Sequence, residues 1–258
     1  MFTGLILFFI GCKIGSKKVF KETYYKSGKL MSKGWFIKDT IPVDAMFYFY
    51  ENGNIEQIEE RNDSGFLNGE TKFYNKDGKI YGLTNYVKGV MQGFEYEYKD
   101  GALYTKNFFL NDTQMGDVFG FDKKSKINYY GFLDFDEHNR DLQKYDSTGN
   151  LIKDLRPIIF VDSIRPYVDS PEKENERSYD ILLLVSNPPH CQSRIKIDYV
   201  SINGTLIKSD SIIHKEYFFK KEKFVDSLFA IKIGGSQYDS LDNKTTYQEH
   251  NAKLIYEK

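Results

Sequence analysis

The sequence predicts an all-β protein: an array of β-hairpin repeats forming an elongated antiparallel sheet, followed by a small β-sandwich-like domain. Three observations carry this expectation. A single phrase returns about every 24 residues through the first 155 positions. It consists of an aromatic residue closing an apolar run, a polar bend with glycine, and an aliphatic residue opening the next run. The composition is strongly aromatic, with 20 Tyr and 21 Phe among 258 residues, which suits strands. Finally, the pattern stops near Arg156-Pro157. Of the 20 glycines, 17 precede that point, whereas five of the six prolines follow Arg156.

The bends have a mechanism. Asn-Gly and Asp-Gly favour two-residue type I′ turns, because both central positions need positive φ. On that basis Asn52-Gly53 sets Tyr50 opposite Ile55, Asp100-Gly101 sets Tyr98 opposite Leu103, and Ser27-Gly28 sets Tyr25 opposite Leu30. Three copies carry one more residue between Tyr74 and Ile80, Phe121 and Ile127, and Tyr145 and Leu151. A three-residue loop with glycine in the left-handed position fits them, with Gly78 and Gly149 in place. The structural turn residues are therefore Gly28, Gly53, Gly78, Gly101 and Gly149. Ser125 stands where the fifth copy needs glycine, so a weaker or distorted turn is expected there. The aliphatic anchors Leu30, Ile55, Ile80, Leu103, Ile127 and Leu151 recur at steps of 25, 25, 23, 24 and 24. Such a period marks a repeat array, in which one hairpin must stack on the next to bury its surface. Polar outer turns follow at Lys38-Asp39, Asn62–Gly65, Lys88-Gly89, Asn111–Thr113 and Glu137–Asn139. The run Met46–Tyr50 is apolar on both faces. Stacking between hairpins accounts for it, and an exposed aromatic patch is the alternative.

This pattern resembles the bacterial MORN-repeat variant family. The residues that carry the likeness are Gly69-Glu-Thr-Lys-Phe-Tyr74, Asp77-Gly78-Lys-Ile80, Tyr86, Gly89 and Gly93-Phe-Glu-Tyr-Glu-Tyr98. It covers residues 20–155. The resemblance implies stacked hairpins, and some relatives are described as antitoxins. It thus implies an alternative function: an antitoxin or immunity-type protein that neutralises a toxin by direct binding.

Residues 1–12 form an apolar run ending in Gly11-Cys12. It resembles the lipobox of bacterial lipoproteins, although no Lys or Arg precedes Cys12. The run is too short to span a bilayer, which takes roughly 20 residues. Residues 1–11 are expected to be a cleaved signal peptide, Cys12 the lipidation site, and 12–19 a tether. The expected address is the bacterial cell envelope, with lipid anchoring the chain to a membrane, by preference the outer one.

In residues 156–258, strands are expected at 158–162, 179–186, 195–202, 205–211, 228–233 and 252–256, with a hairpin at Asn203-Gly204 and a short helix over 221–229. Short strands without helical alternation suggest a sandwich.

No catalytic constellation stands out, and no cofactor is implied. The 36 basic and 37 acidic residues balance, which argues against a nucleic-acid partner. Cys191 follows Asn187-Pro-Pro-His190, but neighbours on a strand point to opposite faces. A structural cysteine is the favoured reading, and no metal ligands are assigned: the four histidines lack zinc spacing and no CxxC occurs. Asp239–Asn243 reads as a polar turn rather than a calcium loop. The expectation is a non-catalytic scaffold or binding module whose partner is another protein. An envelope glycan hydrolase is the enzymatic alternative.

Overall fold

The computed structural model describes residues 17–134, 139–153, 160–167, 176–201, 203–213, 217–225 and 229–253. Twelve strands make the repeat region: β1 (Lys18–Tyr24), β2 (Leu30–Ile37), β3 (Ile41–Phe49), β4 (Ile55–Arg61), β5 (Gly69–Tyr74), β6 (Ile80–Val87), β7 (Val90–Lys99), β8 (Ala102–Leu110), β9 (Thr113–Phe121), β10 (Ile127–Leu133), β11 (Asn139–Tyr145) and β12 (Leu151–Lys153). They form one 12-stranded sheet in chain order, each strand beside its neighbour in sequence. The remaining strands are β13 (Phe160–Tyr167), β14 (Glu176–Val185), β15 (Cys191–Ser201), β16 (Leu206–Ile213), β17 (Tyr217–Val225), β18 (Phe229–Asp239) and β19 (Lys244–Lys253). Among the described residues there is no helix. The chain divides into two compact units, residues 1–80 with 86–89, and residues 81–85 with 90–258.

The bends show two turn chemistries. Asp100 and Gly101 both have positive φ, and Tyr98 pairs with Leu103, as a two-residue I′ turn requires. The bends at Gly28 and Gly53 differ from expectation. Only the glycine has positive φ there, and Leu30 faces Tyr24 while Ile55 faces Phe49. Both are three-residue loops: Gly53 N donates to Tyr50 O at 2.8 Å and Tyr50 N to Asn54 O at 2.8 Å. Gly78 and Gly149 close the same kind of loop, and Tyr145 faces Leu151. Ser125 adopts φ 57°, yet the turn keeps both hydrogen bonds, at 2.9 and 2.8 Å. Its hydroxyl also accepts Leu103 N at 3.2 Å, which glycine could not do.

The bends at Gly28 and Gly53 are also tied to the next repeat. Tyr25 donates its hydroxyl to the Phe49 carbonyl at 2.7 Å, and Tyr50 to the Tyr74 carbonyl at 2.7 Å, each spanning 24 residues. Asn52 and Asn54 both donate to the Lys76 carbonyl at 2.7 Å. The positions that match Tyr25 and Tyr50 in other copies, Asn75, Asp122 and Asp146, cap their own loops instead. Each accepts backbone N–H groups two and four residues on, at 2.8–3.0 Å. Such Asx caps are local and strong. The Thr148 hydroxyl and Asn150 N–H hold the Asp146 carboxyl well below its usual range.

In the first unit, Ile37, Val43 and Met46 are buried. Met46 fills the space left by Gly34, where a Cβ would overlap its sulfur. Glu59 is buried beside it and accepts from Gln57 Nε2 at 2.7 Å, Arg61 Nε at 2.8 Å and the Tyr48 hydroxyl at 3.2 Å. Within Met46–Tyr50 the rings are partly covered. Lys33 Nζ lies 5.7 and 5.5 Å from the Phe47 and Phe49 ring centroids.

In the second unit, Phe108, Leu110, Met115 and Phe132 of the repeat sheet pack with Leu184 of β14. The last seven strands form a three-stranded sheet, β13-β14-β17, and a four-stranded sheet, β16-β15-β18-β19. Lettered A to G, this differs from the immunoglobulin constant arrangement only in its fourth strand, which joins the second sheet. Along β15, Cys191, Ser193, Ile195, Ile197 and Tyr199 are buried while 192, 194 and 196 are exposed. Of the helix expected over 221–229, residues 221–225 are instead the end of β17, whose backbone pairs with β14 from Glu176↔Val225 to Leu184↔Tyr217; Phe229 opens β18, and 226–228 lie outside the described residues. Ladder pairing outweighs the modest helical preference of its Lys and Glu residues.

Candidate functional site

The loop after β14 assembles a cluster that local spacing did not reveal. Pro188 and Pro189 offer no N–H and disfavour ladder pairing, so β14 ends at Val185. Cys191 N then donates to the Pro188 carbonyl at 2.9 Å, closing a turn that carries His190. Cys191, the first residue of β15, pairs with Asp239, the last of β18. Directly opposed residues share a face, and this face is the buried one. His190 lies in the turn rather than on the strand, so alternation does not separate it from Cys191. One donor atom from each of His190, Cys191 and Asp239 lies within 4.8 Å of the others.

The orientation of these groups is held by neighbours. Asp239 Oδ1 accepts Leu241 N at 2.8 Å. Its Oδ2 lies 3.6 Å from His190 Nε2, too far for a good hydrogen bond. That nitrogen is buried and has no hydrogen-bond partner. Ser240 donates its N–H and hydroxyl to the His190 carbonyl at 3.2 and 2.9 Å. The Tyr145 ring meets His190 edge-on, centroids 6.4 Å apart. The loop's first residues are tied to the repeat sheet: buried Asp117 accepts from the Tyr130 hydroxyl at 2.8 Å and from Asn187 N at 3.2 Å. On the other side, Gln237 Nε2 and the Ser193 hydroxyl donate to the Ser186 carbonyl at 2.8 and 3.0 Å. A hydrolytic thiol must meet its substrate, whereas Cys191 is 3% exposed, so the arrangement is unsuited to nucleophilic catalysis.

A different surface lies at the outermost strand of the first unit. β1 ends the sheet order, so among the described residues one edge of its backbone pairs with no strand. Phe20 faces Trp35 across the ladder, their rings edge-to-face with centroids 5.2 Å apart. Trp35 is the sole tryptophan of the chain and is 42% exposed, with Phe20 at 46% and Tyr24 at 53%. Met31 and Val19 are also exposed. Lys18 is paired with Asp44 at 2.8 Å, and Lys21 Nζ donates to the Asp39 carbonyl at 2.6 Å.

A groove of about 370 Å³ also crosses the exposed face of the four-stranded sheet, lined by Arg194, Lys196, Ile213, Gly234, Tyr247 and Glu249 among others. Gly234 sits mid-strand, with open space where a side chain would project.

Of the residues expected to matter, Cys12 and the signal segment lie outside the described residues, as do Glu137 and His138 in the outer turn. Gly28, Gly53, Gly78, Gly101 and Gly149 all have positive φ and sit in bends. The cluster residues His190 and Cys191 were visible as a dipeptide, but Asp239 reaches them through strand pairing and left no local signal. Among the described residues, no helix is long and apolar enough to cross a membrane. Compared with protein-family models, curated proteins and solved structures, the chain gives no match.

Proposed function

We propose that this chain is a non-catalytic binding module, held at a bacterial envelope membrane by lipid on Cys12, that engages a protein partner through β1 and the aromatic side chains beside it. The exposed Phe20–Trp35 pair on the terminal strand carries the reading. Aromatic anchors, tryptophan and tyrosine above all, dominate protein interfaces. An open strand edge offers main-chain donors and acceptors to an added strand. A chain that leaves its only tryptophan half in water beside such an edge has placed a costly apolar surface where a partner can cover it. The repeat array then acts as a scaffold presenting that edge, and the lipidated tether, which leads directly into β1, sets its distance from the membrane.

The test uses the full chain in its native cell. A photo-crosslinking residue at position 20 should give a discrete adduct, diminished by Trp35→Ala. The same residue at exposed Tyr104 should give none. Equal, diffuse labelling from both positions removes this interface. Palmitate labelling that vanishes in Cys12→Ala supports the anchor, and labelling that never appears removes it.

A further inference from the structure

We propose that His190, Cys191 and Asp239 form a binding site for one divalent transition-metal ion of the zinc class. This goes beyond the partner surface at β1 and does not depend on it. The donor set is mixed: an imidazole nitrogen, a thiol sulfur and a carboxylate oxygen. That combination suits a borderline-soft ion and disfavours magnesium or calcium, which take oxygen alone.

Geometry supports the assignment at each residue. In a tetrahedral zinc site, bonds of about 2.0 Å to nitrogen and oxygen and about 2.3 Å to sulfur put the ligand atoms roughly 3.3–3.7 Å apart. His190 Nε2 and Asp239 Oδ2 already lie 3.6 Å apart. All three donors fall within 4.8 Å of one another, so the metal need draw the widest pair in by only about 1 Å. His190 Nε2 is buried with no hydrogen-bond partner. A buried imidazole nitrogen left in that state is costly, and a metal ion resolves it. Asp239 spends Oδ1 on the Leu241 N–H, which aims Oδ2 at His190. This is the outer-shell orientation expected of a ligating carboxylate. The backbone is held as well: the register Cys191↔Asp239 fixes two ligands, and Ser240 clamps the His190 carbonyl. Binding converts the Cys191 thiol to a metal-bound thiolate, its proton passing to solvent. Three protein ligands leave a fourth position for water. The ion joins the turn before β15 to the end of β18.

The experiment uses the full chain, reduced and stripped with a chelator, then titrated with Co²⁺ and afterwards Zn²⁺. One equivalent of cobalt should give intense tetrahedral d–d bands with a thiolate-to-cobalt charge-transfer band, and zinc should abolish both. Cys191→Ser should lose the charge-transfer band. Asp239→Asn keeps an acceptor for the Leu241 N–H and should fold normally, yet bind cobalt at least about 10- to 100-fold more weakly, the loss that removing even an outer-shell partner brings. His190→Gln should do the same. If Cys191→Ser fails to fold, Asp239→Asn decides. A wild-type spectrum without the thiolate band, or an unchanged affinity in Asp239→Asn, overturns the site.

Discussion

Strands β7 and β15 are nearly equal in length and belong to regions that hold themselves together differently. Along β15 buried and exposed residues alternate almost without fault. Along β7 nearly every residue from Val90 to Tyr96 is half-buried. The C-terminal sheets thus keep a dry inner face, where apolar burial supplies most of the stability. Apart from the cores around Val43 and Met46 and around Phe108 and Phe132, the repeat sheet spreads its burial thinly and adds polar fastenings: tyrosine hydroxyls to the next repeat's carbonyls, amides between neighbouring bends, and carboxylates capping loops. A repeat array leans chiefly on its neighbours, so polar bonds at the bends matter more there than in a closed core.

That contrast can be broken or sharpened by substitution. The largest effect is expected in the C-terminal sheets. Ile197→Ala removes a fully buried side chain and should cost about 2–5 kcal/mol in urea unfolding. Ile55→Ala, half-buried in the array, should cost clearly less. Equal losses would mean the two regions are not distinguished by burial. Next comes Glu59→Ala, which strips Arg61, Gln57 and Tyr48 of a shared acceptor. We expect a loss of about 2–3 kcal/mol, with Glu59→Gln milder because it keeps one carbonyl acceptor. A smaller loss, about 1 kcal/mol, is expected for Tyr50→Phe, which deletes only the hydroxyl bound to the Tyr74 carbonyl. Tyr104→Phe, at an exposed ring, should stay within about 0.5 kcal/mol of wild type. If both behave alike, the repeat-to-repeat hydroxyl bond contributes nothing.

The smallest effect is in acid. The Thr148 hydroxyl and Asn150 N–H depress Asp146, and the Lys126 N–H chiefly depresses Asp122. A carboxylate lowered in the folded state stabilises it above the ordinary carboxylate range and loses that contribution as pH falls through the folded value. Carboxyl NMR titration should therefore find both groups still ionised at pH values below about 3.9, the ordinary aspartate midpoint. Asp146→Asn should flatten the acid limb of the stability curve slightly. Titration of both groups at the ordinary midpoint would remove the capping argument for these loops.

Much of this architecture was readable in the chain. The 24-residue rhythm and the glycine bends predicted hairpins in sequence order, and Asp100-Gly101 predicted both its turn and its register. Asn52-Gly53 misled, because Asn-Gly serves equally in a three-residue loop where only the glycine takes positive φ. The short helix expected over 221–229 gives way over 221–225 to a strand, because pairing with β14 outweighs local preference. Among the candidate sites, an exposed aromatic patch is the alternative reading for Met46–Tyr50, where the rings are partly covered. The exposed pair is Phe20 and Trp35, and nothing in their local pattern distinguishes them from covered aromatics.

By itself the sequence determined where the array bends and which of its strands are neighbours. Turn formation depends on φ preferences within a few residues, and consecutive hairpins stack in the order they are made. Only tertiary structure decided which tyrosines reach across repeats and which rings stay in water. It alone brought Asp239 beside His190 and Cys191. Those outcomes depend on register between distant strands, an energy summed over whole ladders that no short stretch of residues encodes.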